Sequence, residues 1–227
     1  MKTKIICTIG PASEELSVLK NMKEAGMSIA RINTKHGDEK QWEKIISNCK
    51  KISCPVMLDF INQRGLNFIK DKQPEYLAVS YSESGKQIKE VENFVGKKIK
   101  IVSKIESEKG IRNFEQIVKN SFGVMVARGD LSKNLSFEKV PSVQNKIIRK
   151  AKHDKKFVIV ATEMLLSMVD SKKPTNAEVH DVYFAVEKGA NAVMLSEETA
   201  IGKYPVLVVE TMAKIVREAE RGLFHKG

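Results

Sequence analysis

The sequence predicts a single (β/α)8 TIM barrel, an α/β fold in one domain. Three observations carry that expectation. Apolar runs alternate with amphipathic segments along the chain, the runs number eight, and polar residues collect just after them. Runs that are apolar on both faces belong to parallel strands covered by helices. Eight such strands close into a barrel, and 227 residues is close to the length of one.

The elements follow in order. "KIICTIG" (4–10) reads as the first strand, and "SEELSVLKNMKEAGM" (13–27) as a helix capped by Ser13 and stopped by Gly26. "SIARIN" (28–33) is the second strand and "DEKQWEKIISNCKKI" (38–52) the second helix. "PVMLDF" (55–60) and "YLAVSYS" (76–82) are the third and fourth strands, followed by the helix "SGKQIKEVENFVG" (84–96). "KIKIVSK" (98–104), "GVMVARG" (123–129), "KFVIVAT" (156–162) and "NAVMLS" (191–196) complete the eight, and "YPVLVVETMAKIVREAERGL" (204–223) closes the chain as a helix. The crossover over 61–75 has room for only a short helix, near the minimum for a parallel connection. An open doubly wound sheet is the competing fold, but its dinucleotide glycine fingerprint is missing.

Composition narrows the function classes. The charge is +11, yet the lysines are scattered among glutamates with no aromatic-interleaved basic motif. A solvated lysine-rich surface is the first reading, a small anionic substrate the second, and nucleic acid a distant third. No apolar run is long enough to cross a bilayer, and "MKTKIICTIG" lacks the features of a signal peptide. Cys7, Cys49 and Cys54 are odd in number and lack metal-ligand spacing, which fits free thiols in a reducing cytosol.

In a barrel the C-terminal strand ends form the active face. Here they carry Arg31, Asn33, Lys35 and His36 on strand two, Asp59 on three and Ser80 on four. They carry Lys104 and Glu106 on five, Arg128, Gly129 and Asp130 on six, Thr162 and Glu163 on seven, and Ser196, Glu197 and Glu198 on eight. Taken singly, each has a plainer reading: Ser196, Thr162 and Asp130 as helix caps, His36 as a turn residue, a lone Lys or Glu as solvated rim. Together they point elsewhere. Lys104 and Glu106 are two apart and share a strand face, and Asp130 is on the neighbouring strand. Two adjacent carboxylates repel unless a cation lies between them. A hard divalent ion, its shell completed by substrate and water, suits such a pair, and two carboxylates do not discriminate Mg2+ from Mn2+. The lysine adds a point charge for a phosphoryl group or an enolate oxygen.

The motifs "TKIICTIGPAS", "ARINTKHGD", "SKIESEKGIRNFEQI", "GVMVARGDL", "VATEMLLSM", "KPTNAEVHDV" and "VMLSEETAIGKYPV", in this order, resemble the pyruvate kinase family. The resemblance covers nearly the whole chain except residues 61–75. It implies a cytoplasmic catalytic barrel handling phosphoenolpyruvate, pyruvate, ADP and ATP. Lys104 is similar to the lysine that neutralises the phosphoryl group in flight, and Glu106 and Asp130 to the carboxylates holding Mg2+ or Mn2+. The N–H groups of Gly129 and Asp130 match those that receive the substrate carboxylate, and Thr162 matches the threonine on the protonated face of the enol. Arg31 and Ser80 match phosphate-side positions; Arg31, His36 and Pro11 match the nucleotide side.

The departures from the family pattern are equally specific. The lid domain, expected near residues 60–75, and the C-terminal regulatory domain have no counterpart, and the lid's flank is reduced to "LDFINQRG". Of the family's potassium ligands Asn33 and Asp59 remain, whereas Lys35 and Phe60 replace a serine and a threonine. This implies that the Lys35 ammonium stands in for potassium with Asp59 as counter-charge, so that potassium is not required. Ser132 replaces the glycine after "GDL", followed by "KNLS"; Glu163 replaces a glutamine, Glu197 a glycine, and "PTNAE" loses an arginine near a family subunit contact. A homodimer through the last helices is an expectation. The first reading is phosphoryl transfer between phosphoenolpyruvate and ADP; the alternatives are a pyruvate-enolate lyase such as an oxaloacetate decarboxylase or aldolase, and a non-catalytic binding module.

Overall fold

The computed structural model describes residues 1–60 and 66–224. All eight expected strands form: β1 (Lys4–Thr8), β2 (Met27–Asn33), β3 (Val56–Phe60), β4 (Tyr76–Val79), β5 (Lys100–Ile105), β6 (Gly123–Ala127), β7 (Phe157–Ala161) and β8 (Ala192–Leu195). Each pairs in parallel with the next, and β8 pairs with β1 to close the barrel. The helices are α1 (Leu16–Ala25), α2 (Glu39–Lys51), α3 (Leu66–Lys72), α4 (Gly85–Val95), α5 (Glu108–Arg112), α6 (Phe114–Lys119), α7 (Arg128–Asn134), α8 (Val140–His153), α9 (Asn176–Glu187), α10 (Glu197–Ala200) and α11 (Pro205–Phe224). The last of these packs against both α1 and α9, completing the outer ring.

Local chemistry explains the helix ends. Asp38 accepts from the Gln41 N–H and Ser84 from the Gln87 N–H, satisfying donors that a first turn leaves unpaired. Thr175 and Glu178 form a reciprocal capping box on α9. Gly26 ends α1 at φ 130°, a conformation that a Cβ would strain. One expectation is corrected: Ser13 does not cap α1. Its hydroxyl accepts from the Gly10 N–H in the preceding turn, and Glu15 takes the cap position without a side-chain bond. The expected short helix in the 61–75 crossover is α3; residues 61–65, the whole of "INQRG" in the flank, lie outside the described residues.

The strands point one face at the barrel axis and the other at the helices. Ile6, Ile29, Met57, Ala78, Val102, Met125, Ile159 and Met194 form the enclosed apolar core. Alternate residues such as Ile5, Cys7, Leu58, Ile101 and Val193 pack outward under the helix layer. Period two then fixes what comes next along each inward row. Two residues beyond Ile6, Ile29, Met57, Ala78 and Val102 stand Thr8, Arg31, Asp59, Ser80 and Lys104, all buried and polar. An apolar floor therefore carries a polar layer at the C-terminal strand ends. Truncating the floor, as in Met125→Ala, is expected to cost about 2–5 kcal/mol, measured by urea unfolding. A loss below ~1 kcal/mol would mean that the interior is not close-packed there.

Candidate active site

The polar layer opens into a cleft of about 1050 Å3 lined by Arg31, Asn33, Lys35, His36, Ser80, Tyr81, Lys104, Glu106, Asp130, Lys133 and Thr162, among others. Eleven of the strand-end positions expected from the sequence, Ser196 and Glu197 included, thus meet at one mouth. At its base lies Asp59, which has no solvent exposure. Its Oδ2 accepts from Arg31 Nε at 2.9 Å and Nη2 at 2.7 Å, and its Oδ1 lies 3.2 Å from Lys104 Nζ and 3.4 Å from Ser80 Oγ. Arg31 Nη1 also donates to Thr8 Oγ1 at 2.7 Å, and that hydroxyl donates to the Leu195 carbonyl at 2.9 Å.

Lys104 is the hub of the cluster. Its ammonium reaches Asp59, Ser80 Oγ at 2.9 Å and Glu106 Oε1 at 2.9 Å, so the two charges expected on one strand face do meet. Glu106 follows directly after β5, and its Oε2 accepts from the Tyr81 N–H at 2.6 Å. Burial opposes charge on Lys104, but Asp59 and Glu106 outweigh it and push its pKa above the ordinary lysine value. Burial likewise opposes charge on Asp59, where Arg31 and Lys104 prevail and hold the carboxyl low. For Glu106 burial wins, and its pKa is raised.

Asp130 lies in the first turn of α7, which begins directly after β6 stops at Ala127. Its Oδ1 accepts from Lys133 Nζ at 2.9 Å. Burial works against its charge, yet the Lys133 contact, the Lys104 charge and a hydrogen bond with Glu106 lower its pKa. The two carboxylates are therefore neighbours. Among the described residues, no group of three or more His, Cys, Asp and Glu side chains is placed to hold a metal. Among the described residues, a cation here would have Glu106 and Asp130 as its carboxylate ligands.

Thr162 faces the cleft from an unusual backbone. It has φ 71°, and Glu163 follows at φ 53°, left-handed values that are rare for a β-branched residue. Two such residues cost on the order of 1–3 kcal/mol each unless the surroundings hold them. Arg128 does this from α7: it donates to the carbonyls of both Thr162 and Glu163 and pairs with Asp181. The buried Glu198 steadies the next turn, accepting from the N–H groups of Ser196 and Leu165. It is a structural tie and not a cleft residue.

Four expectations change. Lys35 is solvent-exposed, and its backbone N–H meets Asn33 Oδ1; Asp59 is instead neutralised by Arg31 and Lys104. The inward row explains this, since Arg31 and Lys104 share Asp59's side of the sheet. The N–H of Gly129 is taken by Thr162 Oγ1 at 2.8 Å, so a substrate carboxylate would have to displace that hydroxyl. Pro11 lies on the exposed turn after β1 and is not among the cleft-lining residues. Ser196 precedes α10 but makes no capping bond. Thr8, Tyr81 and Lys133 were missed. Thr8 was discoverable from period two after Ile6, whereas the Tyr81 N–H and the Lys133 reach depend on tertiary geometry.

A closed parallel barrel with charged groups converging at its C-terminal mouth defines the (β/α)8 class of fold, with its polar cleft on the face where such barrels carry their sites. The family model "Pyruvate kinase, barrel domain" matches residues 1–61 and 56–209. Pyruvate kinase isozyme G, chloroplastic, from Nicotiana tabacum is 30% identical over 98% of this chain and 59% of its own length. The pyruvate kinase of Thermoplasma acidophilum is 30% identical over 95% and 58%, and that of Dictyostelium discoideum 38% over 90% and 41%. The chain belongs to the pyruvate kinase family. It spans 41–59% of the length of these three relatives. Among the described residues, no helix is long and apolar enough to cross a membrane.

The site's cohesion can be tested at Asp59. Asp59→Asn leaves Arg31 and Lys104 buried without their shared counter-charge and should cost about 3–5 kcal/mol at neutral pH. Because its folded pKa is depressed, Asp59 adds stability above the unfolded value near 3.9, and that stability is lost as pH falls through the lower folded value. The gap between wild type and variant in urea unfolding should therefore narrow on acidification below about pH 4. A gap that stays constant with pH would show that Asp59 is not held as a carboxylate by these cations.

Proposed function

We propose that this chain transfers a phosphoryl group between phosphoenolpyruvate and ADP, giving pyruvate and ATP. The observation that carries this reading is the buried Lys104 ammonium, held between Asp59, Ser80 and Glu106 beside Arg31, inside a cleft of a family member. In the forward direction the bond from phosphorus to the enol oxygen breaks and a bond to an ADP oxygen forms. The enolate left behind takes a proton at its terminal carbon. Lys104 offsets the charge on the moving phosphoryl group. Arg31 has five N–H donors, of which three are engaged by Asp59 and Thr8, so it retains donors for a phosphate. Ser80 keeps the ammonium aimed at the cleft.

Glu106 and Asp130 fit a divalent ion: they are hard oxygen donors, adjacent, and each is already drawn to a cation. Such an ion, Mg2+ or Mn2+, would supply Lewis-acid stabilisation of phosphate and enolate oxygens when bound. Thr162 presents its hydroxyl from the far side, where it donates to the Ala161 carbonyl at 2.6 Å until a substrate displaces it. The nucleotide side is assigned to Arg31 and His36, both on the cleft wall. Catalysis of this kind rests on positioning and charge stabilisation.

We further infer a barrel without the lid. Two observations support this: β3 ends at Phe60 and α3 begins at Leu66, and the match to the Nicotiana protein extends over 334 positions although this chain has 227 residues. A missing lid leaves water in the cleft and lowers efficiency. It also favours a second reading, a pyruvate-enolate lyase that needs no nucleotide. The retained phosphate-side residues, Arg31 with Ser80, favour the kinase. Phe60 packs outward in the helix layer and carries no side-chain oxygen, which supports activity independent of potassium.

Purified protein with phosphoenolpyruvate, Mg2+ and ADP is expected to form ATP, and Lys104→Met to reduce the rate by at least about a hundredfold. Oxaloacetate decarboxylation without nucleotide, in place of ATP formation, would support the lyase. ATP formation unchanged in Lys104→Met would remove that residue from the mechanism.

A further inference from the structure

Each carboxylate of the Glu106–Asp130 pair already has an ammonium partner. Glu106 has Lys104 at 2.9 Å, and Asp130 has Lys133 at 2.9 Å. The two lysines are not equivalent. Lys104 is almost fully buried and also tied to Asp59 and Ser80, so it has no route away from the site. Lys133 is 73% exposed in its side chain and makes one contact, to the Asp130 three residues before it on α7. Its neighbours are fixed: Asn134 Nδ2 donates to the carbonyls of Glu106 and Asp130, and Ser132 Oγ to that of Gly129. Of these two lysines, Lys133 is the one whose side chain is exposed enough to swing away.

We propose that Lys133 is a built-in competitor of the divalent cation, occupying Asp130 until a metal ion displaces its ammonium into solvent. The inference rests on the metal reading of Glu106 and Asp130. It assigns to Lys133 a role in setting metal affinity that the sequence did not reveal, in the segment "SKN" where this chain departs from the family pattern. The displaced lysine stays at the cleft rim, so its charge opposes the ion even after it swings out. Removing it relieves both the competition and the repulsion. A lysine that merely decorates the surface would leave metal affinity unchanged, and one that orients Asp130 for the metal would strengthen it.

The test is Mn2+ titration of the whole chain, with free Mn2+ read by its electron paramagnetic resonance signal, with and without oxalate as an enolate mimic. Lys133→Ala and Lys133→Gln should lower the Mn2+ Kd roughly three- to tenfold, in keeping with a mostly exposed ion pair. Lys98→Ala removes the same charge just before β5, at the opposite end of the barrel, and should change it less than about twofold. If wild type binds Mn2+ and the Lys133 variants bind equally or more weakly, the competitor role is overturned while the metal reading stands. If neither wild type nor variants bind Mn2+ even with oxalate, the metal reading fails and this inference with it.

Discussion

A carboxylate with no access to water, Asp59, is the constraint on which the mouth of this barrel depends. Arg31 and Lys104 point into the same narrow space from β2 and β5, and without an anion between them they would repel at low dielectric. Asp59 comes from β3 on the same inward row and uses one oxygen for each cation. With Glu106 the cluster holds two positive and two negative charges, so it is close to neutral before anything binds. Burying charged groups is tolerable only when they are paired and hydrogen-bonded, and here every donor of Lys104 has an acceptor. That satisfied state defines what a ligand must do. It has to offer acceptors at least as good as those it replaces, and a phosphate does.

The pattern that builds this layer is simple. Along β1 to β5 the inward rows turn from apolar to polar near their C-terminal ends, at Thr8, Arg31, Asp59, Ser80 and Lys104. The barrel and its eight strands were legible in the sequence because this rule is local: period two and the run lengths are properties of neighbours in the chain. The meeting of Lys104 with Glu106 was legible for the same reason. The convergence of Arg31, Ser80, Lys104, Glu106, Asp130 and Thr162 could be anticipated once strand ends were taken as one mouth.

What stayed hidden depends on distance in the chain. Nothing near Lys35 shows that Arg31 and Lys104, 28 and 45 residues from Asp59, would reach that carboxylate first. The left-handed pair at Thr162 and Glu163 carries no glycine to announce it, and it persists because Arg128, 34 and 35 residues earlier, grips its carbonyls. Ser13 looked like a cap because capping is usually local, but the turn at Gly10 claimed its hydroxyl first. In each case tertiary geometry offered a better partner than the nearest one. The strained threonine and its clamp also link folding to function, since the hydroxyl reaches the cleft only from a backbone that α7 holds in place.

The most direct test of this electrostatic account is the titration of Lys104 itself, followed by heteronuclear NMR of its 15N-labelled side chain with Lys104→Met as the assignment control. Two carboxylates around a buried ammonium predict that its pKa lies above the ordinary lysine value of about 10.4, with the group charged throughout the neutral range. A resonance titrating below that value would contradict it: burial would then outweigh Asp59 and Glu106, and these carboxylates would not be what holds Lys104 as an ammonium.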